Sequence, residues 1–347
     1  MPSREYVIEG LALIGENLEE RDVAIIVERG RIHRIEESAH RASAPWICPA
    51  LFNAHTHLGD SVAMDLRAEG SLESLVTPPH GLKHRILAKT PHHDLIQAMR
   101  ATLGFMQEAG TAGCADFREG GPEGVQALRS AAEGSPCIPL IFGREGGEDY
   151  AEGLGISSTR DVPDLERMVT RSRNMKRMIA FHAGERDRFD IDDALSYAPD
   201  LLVHGTHATK GQLRRCAEEE VPIAVCARSN WTLGMTDSSK RPPLKGMIET
   251  GCRIFLGTDN CMFVQPDLWR EMSFIATVYH IPPALIFRAA VDGSRLGGHP
   301  YFITEGSPAC LLVIQPGDSN LWLSHDMVTT LVLRAGPRDI VTKVINS

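Results

Sequence analysis

Long apolar runs are the first thing this 347-residue chain lacks. No stretch approaches the roughly 18 uninterrupted apolar residues of a membrane-spanning helix, so a membrane protein is not expected. The opening "MPSREYVIEG" has no basic segment leading into an apolar one, so no secretory leader is expected either, and the expected compartment is the cytoplasm. Paired cysteines are missing too. Cys48, Cys114, Cys137, Cys216, Cys226, Cys252, Cys261 and Cys310 are scattered without a CxxC, several inside apolar runs such as "VPIAVCA". That pattern fits small buried hydrophobes in a reducing compartment and speaks against a disulfide scaffold. Excess positive charge is also absent. With 36 Lys and Arg against 45 Asp and Glu, the net charge is −9, which leaves nucleic acid and anionic membranes without an electrostatic reason to bind.

What is present changes character twice along the chain. Residues 1–49 read as short strands and turns ("YVIEGLALIG", "DVAIIVERG", "RIHRIEES"), and so do residues 300–347 ("YFITEG", "ACLLVIQPG", "VTTLVLRAG", "IVTKVINS"). Neither end is large enough for a core of its own. The two ends are expected to pair into one small β-domain, with two separate edge hairpins as the alternative. Between them, in residues 50–299, short buried strands alternate with helical patterns. The strands are expected at 50–55, 110–117, 137–143, 151–158, 178–184, 201–205, 221–227 and 252–259. "HHDLIQAMRATLGFMQEAG" has apolar residues at helical spacing, and "VPDLERMVTRSRNM" is a second helix with Asp161 and Pro163 at its start. Eight strands alternating with helices favour a parallel α/β barrel over a doubly wound open sheet, with functional groups at the strand C-terminal ends.

The chemistry-bearing residues fall at those ends. His55 and His57 in "PALFNAHTHLGDS" stand at i and i+2, on one face of a strand. His182 and Glu185 follow the fifth strand in "FHAGE", His204 the sixth in "LLVHGTH", and Asp259 the eighth in "IFLGTDN". A single histidine ending a buried strand is more often a satisfied structural residue. Their joint occurrence at successive strand ends is what points to a site. Three imidazoles and a carboxylate make the N/O donor set that Zn²⁺ or Fe²⁺ accepts, with a position left for water.

On "NAHTHL", "HAGE", "LVHGTH", "CARSN" and "LGTDN", in this order and over most of the chain, the sequence resembles the amidohydrolase superfamily. It is most similar to the branch of cytosine, guanine and S-adenosylhomocysteine deaminases and triazine hydrolases. The resemblance implies a distorted (β/α)8 TIM barrel with a small β-sandwich built from both chain ends. It implies that His55, His57, His182 and Asp259 hold one divalent metal, Zn²⁺ first and Fe²⁺ second. Glu185 would be the proton shuttle, and His204, ahead of His207, would orient and polarise the attacking water. Binuclear members carry a lysine at the end of the fourth strand; "AEGLGISSTR" has none, so a single metal is expected. The implied reaction is deamination of a purine, pyrimidine or related heterocycle, with metal-bound hydroxide attacking an amidine-like ring carbon as Asp259 takes the proton. Hydrolysis of a cyclic amide or of another ring leaving group is the alternative, and a silent metal- or metabolite-binding barrel a third. Asn260 stands where a small residue is common in these enzymes, which leaves the substrate open.

Arg118, Arg144, Arg228 and Asn230 also sit at strand ends, as candidate substrate contacts. Arg118 and Arg144 either pair with neighbouring acids such as Glu119 and Glu145 or grip an anionic part of the substrate. The segment 59–94, broken by Pro and Gly and locally basic at His80, Lys83, His84 and Arg85, reads as a solvated loop or as a cover over the barrel mouth. As a cover it would meet an anionic substrate or a neighbouring subunit, which leaves a homo-oligomer open. Trp269 and Met272 are expected on a helix packed outside the barrel rather than in the pocket.

Overall fold

The structure, a computed structural model, describes residues 5–39 and 44–345. Within the N-terminal β-region, residues 1–4 and 40–43 lie outside the described residues, as do Asn346 and Ser347 of the last strand expected. Fifteen strands are described: β1 (Tyr6–Ile14), β2 (Glu19–Glu28), β3 (Arg31–Glu37), β4 (Trp46–Pro49), β5 (Leu51–His57), β6 (Thr111–Arg118), β7 (Ile138–Gly143), β8 (Gly153–Ile156), β9 (Met178–Ala183), β10 (Leu201–His204), β11 (Ile223–Val225), β12 (Ile254–Leu256), β13 (Asp259–Asn260), β14 (Cys310–Ile314) and β15 (Ile340–Ile345).

They form two sheets. The first runs β15-β14-β4-β1-β2-β3, so both chain ends contribute to it. Val23, Ile25 and Val27 bury alternate positions of β2 against Ile47, Leu311 and Ile303, which is the period-2 pattern of a sheet with one covered face. The second sheet has the order β12-β11-β10-β9-β8-β7-β6-β5-β13, and every pairing in it is parallel. Its two terminal strands are separated only by Gly257 and Thr258. The Gly257 N–H donates to Val225 of β11 and the Thr258 N–H to His55 of β5. The sheet thus curls until the stretch 254–260 lies between its own first and last neighbours, an arrangement consistent with a distorted α/β barrel.

Each of the eight strands expected between residues 50 and 259 is found within two residues of its expected start. The reason is that both faces are apolar. Phe52, Phe117, Phe142, Ala180, Val203, Ala224 and Phe255 fill the inside of the curl. Leu51, Ile179, Phe181, Leu202, Ile223 and Leu256 face the helices, among them Leu165–Asn174, Lys210–Glu218, Leu268–Tyr279 and Pro283–Asp292. Trp269 and Met272 are buried on one of these helices, where the Trp269 indole donates to the Ala109 carbonyl at 2.8 Å.

Three expectations are corrected. "VTTLVLRAG" is not a strand but most of the helix Met327–Arg334. Its β-branched residues favour a strand locally, yet Met327, Val328, Leu331 and Val332 are spaced to bury one helical face, and the Asp326 side chain caps the Thr329 N–H at 2.8 Å. "YFITEG" forms no named strand and meets β1 through the isolated Ile14–Ile303 bridge. The helix after β8 starts at Leu165 behind a left-handed Asp164, not at Asp161, because the Asp161 carboxylate is taken by Arg186.

Candidate active site

β5 departs from simple alternation. Its register against β6 shifts at Leu51/Phe52 and again at Asn53/Thr56. Phe52 and Ala54 belong to the interior cluster, and the irregularity lets His55 and His57, of the opposite parity, reach the same end of the curl. The His55 ring stands edge-on to Phe117 at 4.6 Å between centroids, to His182 at 4.7 Å and to His57 at 4.9 Å. Asn53 pins the strand: its amide donates to Thr258 Oγ1 at 2.7 Å and its carbonyl oxygen accepts the Thr258 N–H at 3.0 Å.

The six residues expected at the centre come together. Donor atoms of His55, His57 and His182 lie within 4.8 Å of one another, and so do those of His55, His204 and Asp259. His55 Nε2 is 3.1 Å and His57 Nε2 3.6 Å from Asp259 Oδ1. The second Asp259 oxygen accepts the Ser229 hydroxyl at 2.5 Å. His182 Nδ1 donates to the Ile156 carbonyl at 2.9 Å, which makes Nε2 the nitrogen with the lone pair, 3.5 Å from Arg144 Nη2. Glu185 Oε2 is 3.6 Å from His204 Nε2. His207 lies apart, its Nδ1 3.0 Å from Arg241. His204 (φ 76°) and Asp259 (φ 64°) both adopt the left-handed backbone that non-glycine residues rarely occupy. These strand ends turn sharply to aim their side chains into the mouth.

The groups fit a divalent cation. Burial holds the His182 and His57 rings well below their ordinary pKa, helped by the charges of Arg144 and Lys83 respectively. Burial lowers His55 to about 4, so all three imidazoles are neutral ligands near pH 7. For Asp259, burial works against the charged form, but the hydrogen bond from His55 and the neighbouring imidazoles outweigh it, so its carboxyl stays well below the usual range. His55 Nδ1 and His204 Nδ1 are buried with no hydrogen-bond partner, which is polar capacity that the protein atoms alone do not use.

An acid effect follows for the metal-free chain. His55 takes up a proton near pH 6.5 when unfolded but only near pH 4 when folded, so the unfolded chain binds more protons in that window. Stability should therefore decline as pH falls from about 6.5 towards 4, and bound metal should blunt the decline. Thermal melts at half-unit pH steps, with and without Zn²⁺, check this; a flat profile for the metal-free chain would count against neutral buried imidazoles.

The candidate substrate contacts separate. Arg144 lines the cavity at the site, with Nη2 3.2 Å from His182 Nδ1 and Nη1 3.1 Å from Glu119. Arg118 does not. It is fully buried, 2.8 Å from Glu119, 3.6 Å from Asp116 and against Met99 Sδ, so its fork is spent inside the fold. Arg228 bonds the buried Glu271 at 2.6 Å and the carbonyls of Gln265 and Asp267. Asn230 donates to Thr206 at 2.8 Å. In all three corrections, acceptors within the fold take donors before a substrate could: buried carboxylates and backbone oxygens for the two arginines, the Thr206 hydroxyl for Asn230. Arg228→Ala should accordingly cost about 3–5 kcal/mol of stability by stranding Glu271, while zinc affinity stays unchanged. Urea denaturation and chelator competition together check that pairing.

Two participants were not foreseen as members of the centre. Glu119 Oε1 lies 3.0 Å from His57 Nδ1, and Lys83 Nζ lies 2.8 Å from Glu119 and 2.9 Å from Asp60. Burial opposes both charges. Lys83, His57 and Arg118 nevertheless hold Glu119 well below its usual pKa, and Asp60 and Glu119 keep Lys83 above its own. The cover over the mouth is present. Short helices Leu72–Leu75 and Leu82–Leu87 bring Leu72, Val76, Thr77 and Pro78 over a cavity of about 50 Å³ that also meets His182, Glu185 and Asp259.

Known proteins resemble this chain in sequence and in fold. The family model described as adenosine deaminase matches residues 155–296. A relative from Methanothermobacter thermautotrophicus, named as an aminohydrolase, is 31% identical over 98% of this chain and 97% of its own. The 5-methylthioadenosine/S-adenosylhomocysteine deaminase of Halobacterium salinarum is 24% identical over 94% of this chain and 86% of its own. Among solved structures, a zinc-bound adenosine deaminase from Xanthomonas campestris superposes with a TM-score of 0.79 at 16% identity, over 97% of this chain and 90% of that one. Sequence kinship along nearly the whole chain, together with strand-end histidines gathered around Asp259, leads to one conclusion: the chain belongs to the amidohydrolase family and is a hydrolytic enzyme of C–N bonds.

Proposed function

We propose that this protein is a mononuclear metal-dependent aminohydrolase that deaminates a purine, pyrimidine or related heterocycle on a distorted (β/α)8 barrel. The carrying observation is the convergence of His55, His57, His182, His204 and Asp259 at one end of the curled sheet. In this reading residues 50–299 form the barrel, and 1–49 with 300–347 form the small β-domain. The eight cysteines, all free and buried, support work in a reducing compartment such as the cytoplasm.

His55, His57, His182 and Asp259 would hold one ion, Zn²⁺ first. A divalent ion there supplies Lewis-acid activation of water, bringing its pKa from roughly 15.7 to about 7. Asp259, kept ionised, accepts the proton that the attacking water loses. Glu185 is held above its ordinary pKa by burial, against the pull of His204 and with the push of Asp259. That direction favours the protonated form, which suits a residue that passes a proton to a ring nitrogen and then assists the leaving amine. His204, 3.6 Å from Glu185, orients the water and steadies charge developing at the attacked carbon. The end of β8, where a bridging lysine would stand, instead presents the Ile156 carbonyl to His182. That supports one metal rather than two.

The likeness to deaminases of adenosine and of S-adenosylhomocysteine favours an adenine-like ring. Ammonia release from adenine, guanine, cytosine, their nucleosides and S-adenosylhomocysteine by the Zn²⁺-loaded protein tests the reading. Release from at least one is expected. Turnover of a ring substrate without ammonia would move the reaction to another leaving group.

A further inference from the structure

Lys83 is the one charged side chain buried between residues 61 and 91 among the described residues, and it belongs to the cover. Most of the cover's other charges, such as Arg67 and Glu69, are left to solvent. Lys83 Nζ instead sits 2.9 Å from Asp60 Oδ2 and 2.8 Å from Glu119 Oε1. Asp60 lies in the turn directly after β5, and Glu119 directly follows β6, so the socket belongs to the sheet. The same Glu119 oxygen is 3.0 Å from His57 Nδ1, whose proton is also offered to the Phe117 carbonyl at 3.1 Å, and 3.1 Å from Arg144. Acceptors at Nδ1 fix the tautomer that frees Nε2, and Nε2 is the His57 atom near Asp259.

The cover has reason to move. The cavity beneath it is about 50 Å³, whereas pockets for drug-sized ligands run to roughly 300–1,000 Å³. Seating a heterocycle there would press on Leu72, Val76 and Pro78, which line the cavity. Drawing Lys83 out would leave Asp60 without its close cation in a buried site and Glu119 with Arg118 and Arg144 alone, changing the environment of a metal ligand.

We propose that Lys83 is a positioning residue that couples closure of the cover to the metal centre, acting through Glu119 on His57. The proposal rests on the one-metal reading above. Because coupling between two binding equilibria is reciprocal, metal should favour the closed cover by the same factor with which the seated cover tightens the metal. The cover is thereby most closed on metal-loaded enzyme, and an enzyme without metal is the more open to solvent.

The test uses the full chain with Zn²⁺ alone. Zinc affinity is measured by competition with a chromogenic chelator, and amide exchange is followed over residues 72–87. In the wild type, zinc should raise exchange protection over 72–87. Asp60→Asn/Lys83→Met, which removes cation and partner charge together, should weaken zinc binding by about 10–100-fold, the range for loss of an outer-shell partner, and should abolish the zinc-dependent protection. Lys83→Arg should restore most of both. If the double variant does not fold, the wild-type exchange result decides. Unchanged zinc affinity in a folded double variant, or wild-type protection over 72–87 indifferent to zinc, overturns the coupling. Failure of the wild type to bind zinc at all overturns the metal reading instead.

Discussion

Glu185→Gln should give a folded protein that binds zinc as tightly as the wild type and turns over about 10²- to 10⁴-fold more slowly, the usual contribution of a positioned proton donor. Glu185 belongs to neither of the two metal-holding groups, so its exchange for an isosteric amide removes no ligand. What it removes is the proton. Burial raises the Glu185 pKa while the neighbouring Asp259 is held down, so two carboxyls in one mouth are pushed towards opposite protonation states. Steady-state kinetics with metal analysis of the same sample checks the claim. Wild-type turnover in metal-loaded Glu185→Gln would remove the residue from the mechanism.

The larger loss should come from Asp259→Asn. Asparagine tolerates the left-handed backbone at this position (φ 64°) and can keep the Ser229 contact, so the fold should survive. The carboxylate charge next to His55 and His57 is lost, and with it both a ligand and the acceptor for water's proton. Zinc affinity should fall by more than the roughly 10–100-fold typical of an outer-shell change, and turnover should be undetectable even at saturating zinc. Calorimetric zinc titration and an ammonia assay on one preparation separate the two effects. Restoration of activity by zinc alone would limit Asp259 to a ligand.

The barrel strands were legible because each buries two apolar faces, and such runs stand out from the polar helices between them. The centre was legible because its ligands end those runs: "HTH" closes β5, and "FHAGE" and "LGTDN" run off the ends of β9 and β12. Interactions across sequence distance were not. Lys83 stands in a Pro- and Gly-broken polar stretch, where a lysine reads as solvated, and nothing near it names Glu119 36 positions later as its partner. Arg118 and Arg228 look alike at strand ends, but only packing shows that Asp116, Glu119 and Glu271 take them. "VTTLVL" failed for a different reason. Its β-branched composition outweighed a cap at Asp326 and an apolar spacing that the neighbouring helices reward.

Stoichiometric reactivation tests the central claim most directly. Metal-depleted protein titrated with Zn²⁺ should gain ammonia-releasing activity linearly and saturate at one ion per chain. Full activity in the metal-depleted protein, or saturation only at two ions, would contradict a one-metal hydrolytic site built on His55, His57, His182 and Asp259.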